Sequence, residues 1–236
     1  MLKNIVLFTV CIILLFTING SSFAFSEYSV EQLKKTNQCC RCDLVRIVMP
    51  GADLSGAYLS RSKLYYANLS RANLSRANLT ETYFDYANLE GANLSRADLT
   101  DAELYNANLS GASLSGAKLL GAKLIYAELP GADLQGANLK RAKLQEADLS
   151  EANLWYANLK GANLEGANLT WVELEGADLS GADLSNANLS KAKMWGTHLT
   201  GANLSGANLE GANLEGAIWS DGRTCGAGSI GSCKFE

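Results

Sequence analysis

Few side chains in this chain are suited to chemistry. Cysteine occurs at Cys11, at Cys39, Cys40 and Cys42, and again at Cys225 and Cys233. The lone histidine, His198, excludes a histidine-rich metal site or a Cys/His zinc finger. His198 also has no matched nucleophile, which group transfer would need. Carboxylates are plentiful enough for a pair at catalytic distance to arise by chance, and a calcium site would need them clustered. No catalytic residue, cofactor or metal ligand is expected. With 20 basic against 24 acidic residues and a net charge of -4, the chain lacks a polybasic footprint for nucleic acid. What remains is a set of 9 tyrosines and 4 tryptophans.

One repeat positions these groups. From Ala52 the chain reads Ala-(Asp/Asn)-Leu-x-x, as in Ala72-Asn73-Leu74-Ser75-Arg76. Its central apolar residue recurs every fifth position from Leu54 to Leu214, 33 times without a break. Only Phe84 and Met194 replace Leu there, and only Ser62, Thr82, Val172 and Thr197 replace the Ala two positions earlier. A period of five fits neither the 3.6-residue helix nor the two-residue strand. A coil turning one corner per repeat keeps every Leu and Ala inward and closes four sides in about 20 residues. Coils then stack at roughly 4.8 Å through strand-like hydrogen bonds, giving about eight coils and a rod on the order of 40 Å long. A tube that narrow holds one large side chain per side, so its neighbour must be small.

The array resembles the pentapeptide repeat family over about 165 of the 236 residues. That resemblance implies an all-β, right-handed quadrilateral parallel β-helix; the handedness comes from the family and not from the spacing. Some family members mimic duplex DNA and bind topoisomerases through an acidic rod. Here only the far third is acidic: residues 161–215 hold Lys191 and Lys193 against seven carboxylates, while residues 27–100 are balanced. A DNA mimic is therefore the least favoured role.

Four segments are expected: a signal peptide (1–24), an N-terminal cap (25–42), the repeat body (43–217) and a C-terminal cap (218–236). Lys3, an apolar stretch from Ile5 to Ile18 and the small-x-small Ser22-Phe23-Ala24 read as a cleavable secretory signal. A membrane anchor would need about 20 apolar residues. The address expected is secreted or periplasmic. Ser29-Val30-Glu31-Gln32 has capping-box spacing, and a short helix is expected over 30–36 with Val30 and Leu33 on one face. Extending the repeat frame backward turns Cys39 and Cys42 inward, favouring a Cys39–Cys42 bridge with Cys40 free; the alternative is three reduced thiols. At the other end Asp221-Gly222 marks a turn, Trp219 can cover the last coil, and a Cys225–Cys233 bridge would staple the tail. The Trp-x-Asp-Gly-x-x-Cys tail resembles terminal segments of secreted pentapeptide repeat proteins.

Residues 20 apart stack into columns, so the exterior can be read. Tyr65, Tyr66, Tyr83, Tyr86, Tyr105 and Tyr126 form a strip on one side of the N-terminal half. It serves either as a recognition surface or as a ladder of mutually stabilising rings. Trp155, Tyr156 and Trp195 form a second group, with Trp171 near a neighbouring corner. Arg76 and Arg96 lie one coil apart and could grip an anion, or could be solvated surface charge. The threonine-bearing column at Ser60, Thr80 and Thr100 breaks at Leu120, too soon for an ice-binding face. The expected function is a secreted, non-enzymatic scaffold or protein-binding module, the alternative a polysaccharide-binding or polysaccharide-acting protein. The partner would be a protein or glycan of the envelope or beyond it. No nucleic-acid partner and no membrane span after cleavage are expected, and dimers through the ends or Cys40 are possible.

Overall fold

Five-residue periodicity becomes structure through the hydrogen bonds of one repeat. In the computed structural model, which describes residues 27–235, the four residues from each inward Leu form a β-turn, as where Ala57 N–H donates to Leu54 O at 3.0 Å. The other amides go elsewhere. Asn73 N–H reaches back to Ala52 O, while Leu74 and Arg76 N–H reach forward to Asn93 and Ser95 O. Ser75 N–H is taken by the Asn73 side chain at 3.2 Å. All five donors of a repeat are thereby satisfied, as buried or half-buried backbone requires. The Asx bond also explains why Asn or Asp is the commonest residue before the inward Leu: its side chain closes its own turn two residues on.

Parallel bridges join residues 20 apart at every fifth position, from Gln38↔Tyr58 to His198↔Ile218. At four turns per coil, the 36 turns make nine coils, one more than expected, because the frame already runs through the cysteine segment. Outside the helix these bridges stay single, since each side spends only one residue between consecutive turns. We number the sides by their first inward residues: Leu54, Leu59, Leu64 and Leu69. Nearly every Leu and Ala of the array is buried, as are Phe84 and Met194. The exceptions Ser62, Thr82 and Thr197 are buried too, each donating its hydroxyl to a carbonyl 23 residues back: Cys39, Leu59 and Leu174 O.

The second turn residue has positive φ at all 36 corners from Arg41 to Gly216. Such a turn favours glycine there, yet 19 corners carry another residue, including Tyr66, Tyr86, Tyr126, Tyr156 and Trp171. A side chain in this conformation costs about 1–2 kcal/mol relative to the right-handed one. Long side chains at these corners lie over the corner one coil on. Tyr156 covers Gly176, where an added Cβ would meet the ring at 2.6 Å.

The helix α1 spans Glu27–Thr36, longer than expected. Ser29 is therefore a helical residue and not the cap. Val30 and Leu33 do pack on the core. Asn37 ends α1 with φ 57°, its N–H bonded to Leu33 O at 2.9 Å, and its side chain reaches Ser55 O. Cys39–Cys42 and Cys225–Cys233 are both bridged. Cys40, expected to be free, is disulfide-bonded as well. The expected signal segment (1–24) lies outside the described residues. No helix among the described residues is long and apolar enough to cross a membrane.

At the C-terminal end the tail folds back antiparallel, pairing Ile218 with Thr224 and Asn213 with Ile230. It buries Leu214 and Ala217, and Trp219 is half-buried against the core. Coverage is incomplete. Leu204, Ala207 and Leu209 stay partly exposed, and the N–H groups of Leu204, Gly206, Leu209 and Gly211 have no backbone acceptor among the described residues.

Candidate functional site: an edge of tyrosines

The turn after the Leu64 side carries the tyrosines, split into two sets by their place in it. Tyr66, Tyr86 and Tyr126 occupy the positive-φ position and stand out, each more than half exposed. Tyr65 and Tyr105 take the preceding turn position, Tyr83 the bridged position before Phe84, and all three are half-buried. Tyr66 and Tyr86 stack at 5.0 Å with planes 7° apart, and Arg46 lies over Tyr66 at 5.6 Å. Tyr65 meets Tyr83 at 5.6 Å and 30°. Four tyrosines and one arginine thus form two ring stacks at one corner of the rod. Tyr105 and Tyr126 make no ring stack with them; Asn106 interrupts the outer column.

A charge lies behind the rings. Asp85 is only 9% exposed and accepts a hydrogen bond from Tyr105 N–H at 2.9 Å. Burial pushes its carboxyl above the usual range; the Tyr105 bond opposes this, and the Glu103 charge adds to it. Burial likewise raises the Tyr65 phenol, helped by the Asp85 charge. Lys123 pairs with Glu103 at 2.6 Å, which holds the ammonium protonated. The sequence places Asp85 in an outward column, yet in the structure it is buried.

Because the folded state raises the Asp85 pKa, the contribution of this group is greatest below the ordinary carboxylate range. It is lost as pH rises through the raised value. Asp85→Asn keeps an oxygen for Tyr105 N–H and removes the charge. It is expected to raise the thermal midpoint at pH 7 while leaving that at pH 3 almost unchanged. Equal shifts at both pH values would speak against a buried charge.

The tryptophan group is not a cluster. Trp155, Tyr156 and Trp195 are exposed, and no ring stack joins them among the described residues. Glu175 stands between the two tryptophans in their column, its Oε2 buried without a hydrogen-bond partner. Trp171 instead holds Lys191 4.7 Å above its ring. Among the described residues, no group of three or more His, Cys, Asp or Glu is placed to hold a metal ion.

A rod of stacked 20-residue coils, with leucine and alanine inside and variable side chains at the corners, defines a repeat scaffold. Pentapeptide repeats match in eight copies, over 41–80, 62–101, 77–116, 102–141, 142–181 and 182–218, so this chain belongs to the pentapeptide repeat family. It is similar to the solved structure of HetL, a pentapeptide repeat protein involved in heterocyst differentiation regulation from the cyanobacterium Nostoc sp. strain PCC 7120. The identity is 36%, covering 83% of this chain and 97% of HetL, with a TM-score of 0.64. QnrB1, a plasmid-mediated fluoroquinolone resistance protein, is 25% identical over 75% of this chain and 92% of its own, with a TM-score of 0.48. A pentapeptide repeat protein from the Arabidopsis thaliana thylakoid lumen is 31% identical over 44% of this chain and 84% of its own, with a TM-score of 0.32. Comparison with curated proteins gives no match.

Proposed function

We infer that this chain is an exported, non-enzymatic binding module, a right-handed quadrilateral solenoid that takes a protein partner on its tyrosine edge. The observation that carries the reading is the Arg46–Tyr66–Tyr86 stack. Both rings sit at corners where the turn favours glycine, and both are 52% exposed. Rings already stacked lose little freedom on binding, and tyrosine and arginine are the side chains that anchor interfaces. Two disulfides support an oxidising compartment outside the cytoplasm. The family resemblance supports the handedness and the square section. The half-open coil at Leu204 and Leu209 is the surface that an end-to-end dimer would use.

The double change Tyr66→Ser, Tyr86→Ser tests the reading. An interface anchor is worth about 2 kcal/mol or more, so the pair should weaken capture of the envelope partner by several hundredfold without unfolding the rod. Undiminished capture would remove the tyrosine edge from the interface. A second reading, glycan binding, draws on the exposed Trp155 and Trp195 flanking the unpaired Glu175 oxygen. Capture that survives the tyrosine change but is lost on adding soluble glycan would favour it.

A further inference from the structure

The turn after the Leu54 side, two corners from the tyrosines, holds an open groove of about 800 Å³ lined by Ser55, Ser75, Ser95 and Ser115, Asn73 and Asn93, and Arg76 and Arg96. No carboxylate lines it. Several other charged corner residues have a complementary neighbour one coil away: Arg46 with Tyr66, Arg61 with Glu81, Lys191 with Trp171. Arg76 and Arg96 are stacked on each other, about 4.8 Å apart along the backbone. Neither forms a salt bridge among the described residues. Asp53, at the end of the same side, is engaged by Ser55 and Asn73. Both arginines hold positive φ, where the same edge uses Gly56, Gly116 and Gly136. The Arg96 stem runs over Gly116, whose missing Cβ would lie 3.7 Å from it. The chain thus keeps two like charges side by side, in a strained conformation, facing an open groove.

We propose that this groove binds a linear oligophosphate-type anion lying along the rod. Two guanidinium forks one coil apart match oxyanion groups in a row, each fork able to take two oxygens. The Ser75 and Ser115 hydroxyls, without partners among the described residues, add donors beyond the two oxygens that a carboxylate offers. Alternate phosphates of an oligophosphate chain are spaced about as far apart as adjacent coils. The site is independent of the tyrosine edge.

Calorimetric titration of the disulfide-intact protein at matched ionic strength tests it, with inorganic tripolyphosphate and orthophosphate as probes. Tripolyphosphate should bind at least tenfold more tightly than orthophosphate. The double variant Arg76→Gly, Arg96→Gly uses the residue that the turn favours, so its thermal midpoint should not fall, yet tripolyphosphate affinity should drop tenfold or more. Arg76→Gln, Arg96→Gln gives the same readout should the glycine variant fold poorly. Arg141→Gln, at another corner, should bind as the parent does. Equal affinity for the two probes would overturn the proposal. So would binding that survives the double change, or a loss of the same size in Arg141→Gln. Titration with long-chain polyphosphate separates the sources: tighter binding marks a polymer, equal binding a short free anion.

Discussion

Leu134→Ala is expected to cost about 3 kcal/mol, within the 2–5 kcal/mol range for emptying a buried leucine site. The size of the loss depends on whether the wall can collapse into the space. Here it is pinned on both sides, since Leu134 N–H donates to Asn153 O at 2.7 Å and Leu114 N–H to Asp133 O at 2.6 Å. Leu134 is fully buried, with alanines as its inward neighbours in the same repeat and the next. No flexible residue is at hand to refill the gap. Leu204→Ala provides the contrast: it sits on the half-open coil, so much of its surface is already wet and about 1 kcal/mol or less should be lost. Urea unfolding of the two variants measures the difference. In a solenoid each coil contacts only its neighbours, so hydrogen exchange should rise locally around coil 134. Equal losses at the two positions would mean that the interior is not the closed tube described.

Cys233→Ser should loosen the C-terminal cap by about 2–3 kcal/mol, the entropy that a short closed loop removes from the open chain. The bridge spans 8 positions and holds the segment that accepts Leu214 N–H at Ser229 O and Gly216 N–H at Cys225 O. Without it the tail frays, Leu214 and Ala217 become accessible, and the uncovered end grows from two sides of the last coil to three. Unpaired bridges beside exposed leucine invite association. Faster exchange confined to residues 214–218, together with concentration-dependent self-association, is the expected result. Unchanged exchange there would show that antiparallel pairing alone retains the cap.

Much of this was legible because the repeat ties each position to one physical task. The unbroken Leu–Ala spacing announces a narrow tube, and Asn or Asp before Leu announces a side chain bonding its own turn. Both disulfides were readable for the same reason: Cys39 and Cys42 fall at inward positions in phase with the array, and Cys225 and Cys233 follow the point where it stops. Other features were not legible. Ser29 looks like a helix cap, but α1 is already under way at Glu27, and Ser29 O packs 3.2 Å from Cys39 Sγ. Cys40 looked like the residue left over and is bonded. The position of Asp85 marks it as exterior, while in the fold it is 9% exposed and bound by the Tyr105 amide one coil on.

The sequence by itself determined the coil: its length, its four turns, what lies inside and where it ends. Those follow from the size and polarity of residues at fixed spacing, which any stacking of the repeat must satisfy. Only the tertiary structure decided the character of the corners. Positive φ aims each corner side chain over the next coil, so its surroundings are set by a residue 20 positions away. Hence Tyr66 and Tyr86 stack into a surface, Trp171 meets Lys191, and Arg76 and Arg96 face a groove lined by no carboxylate.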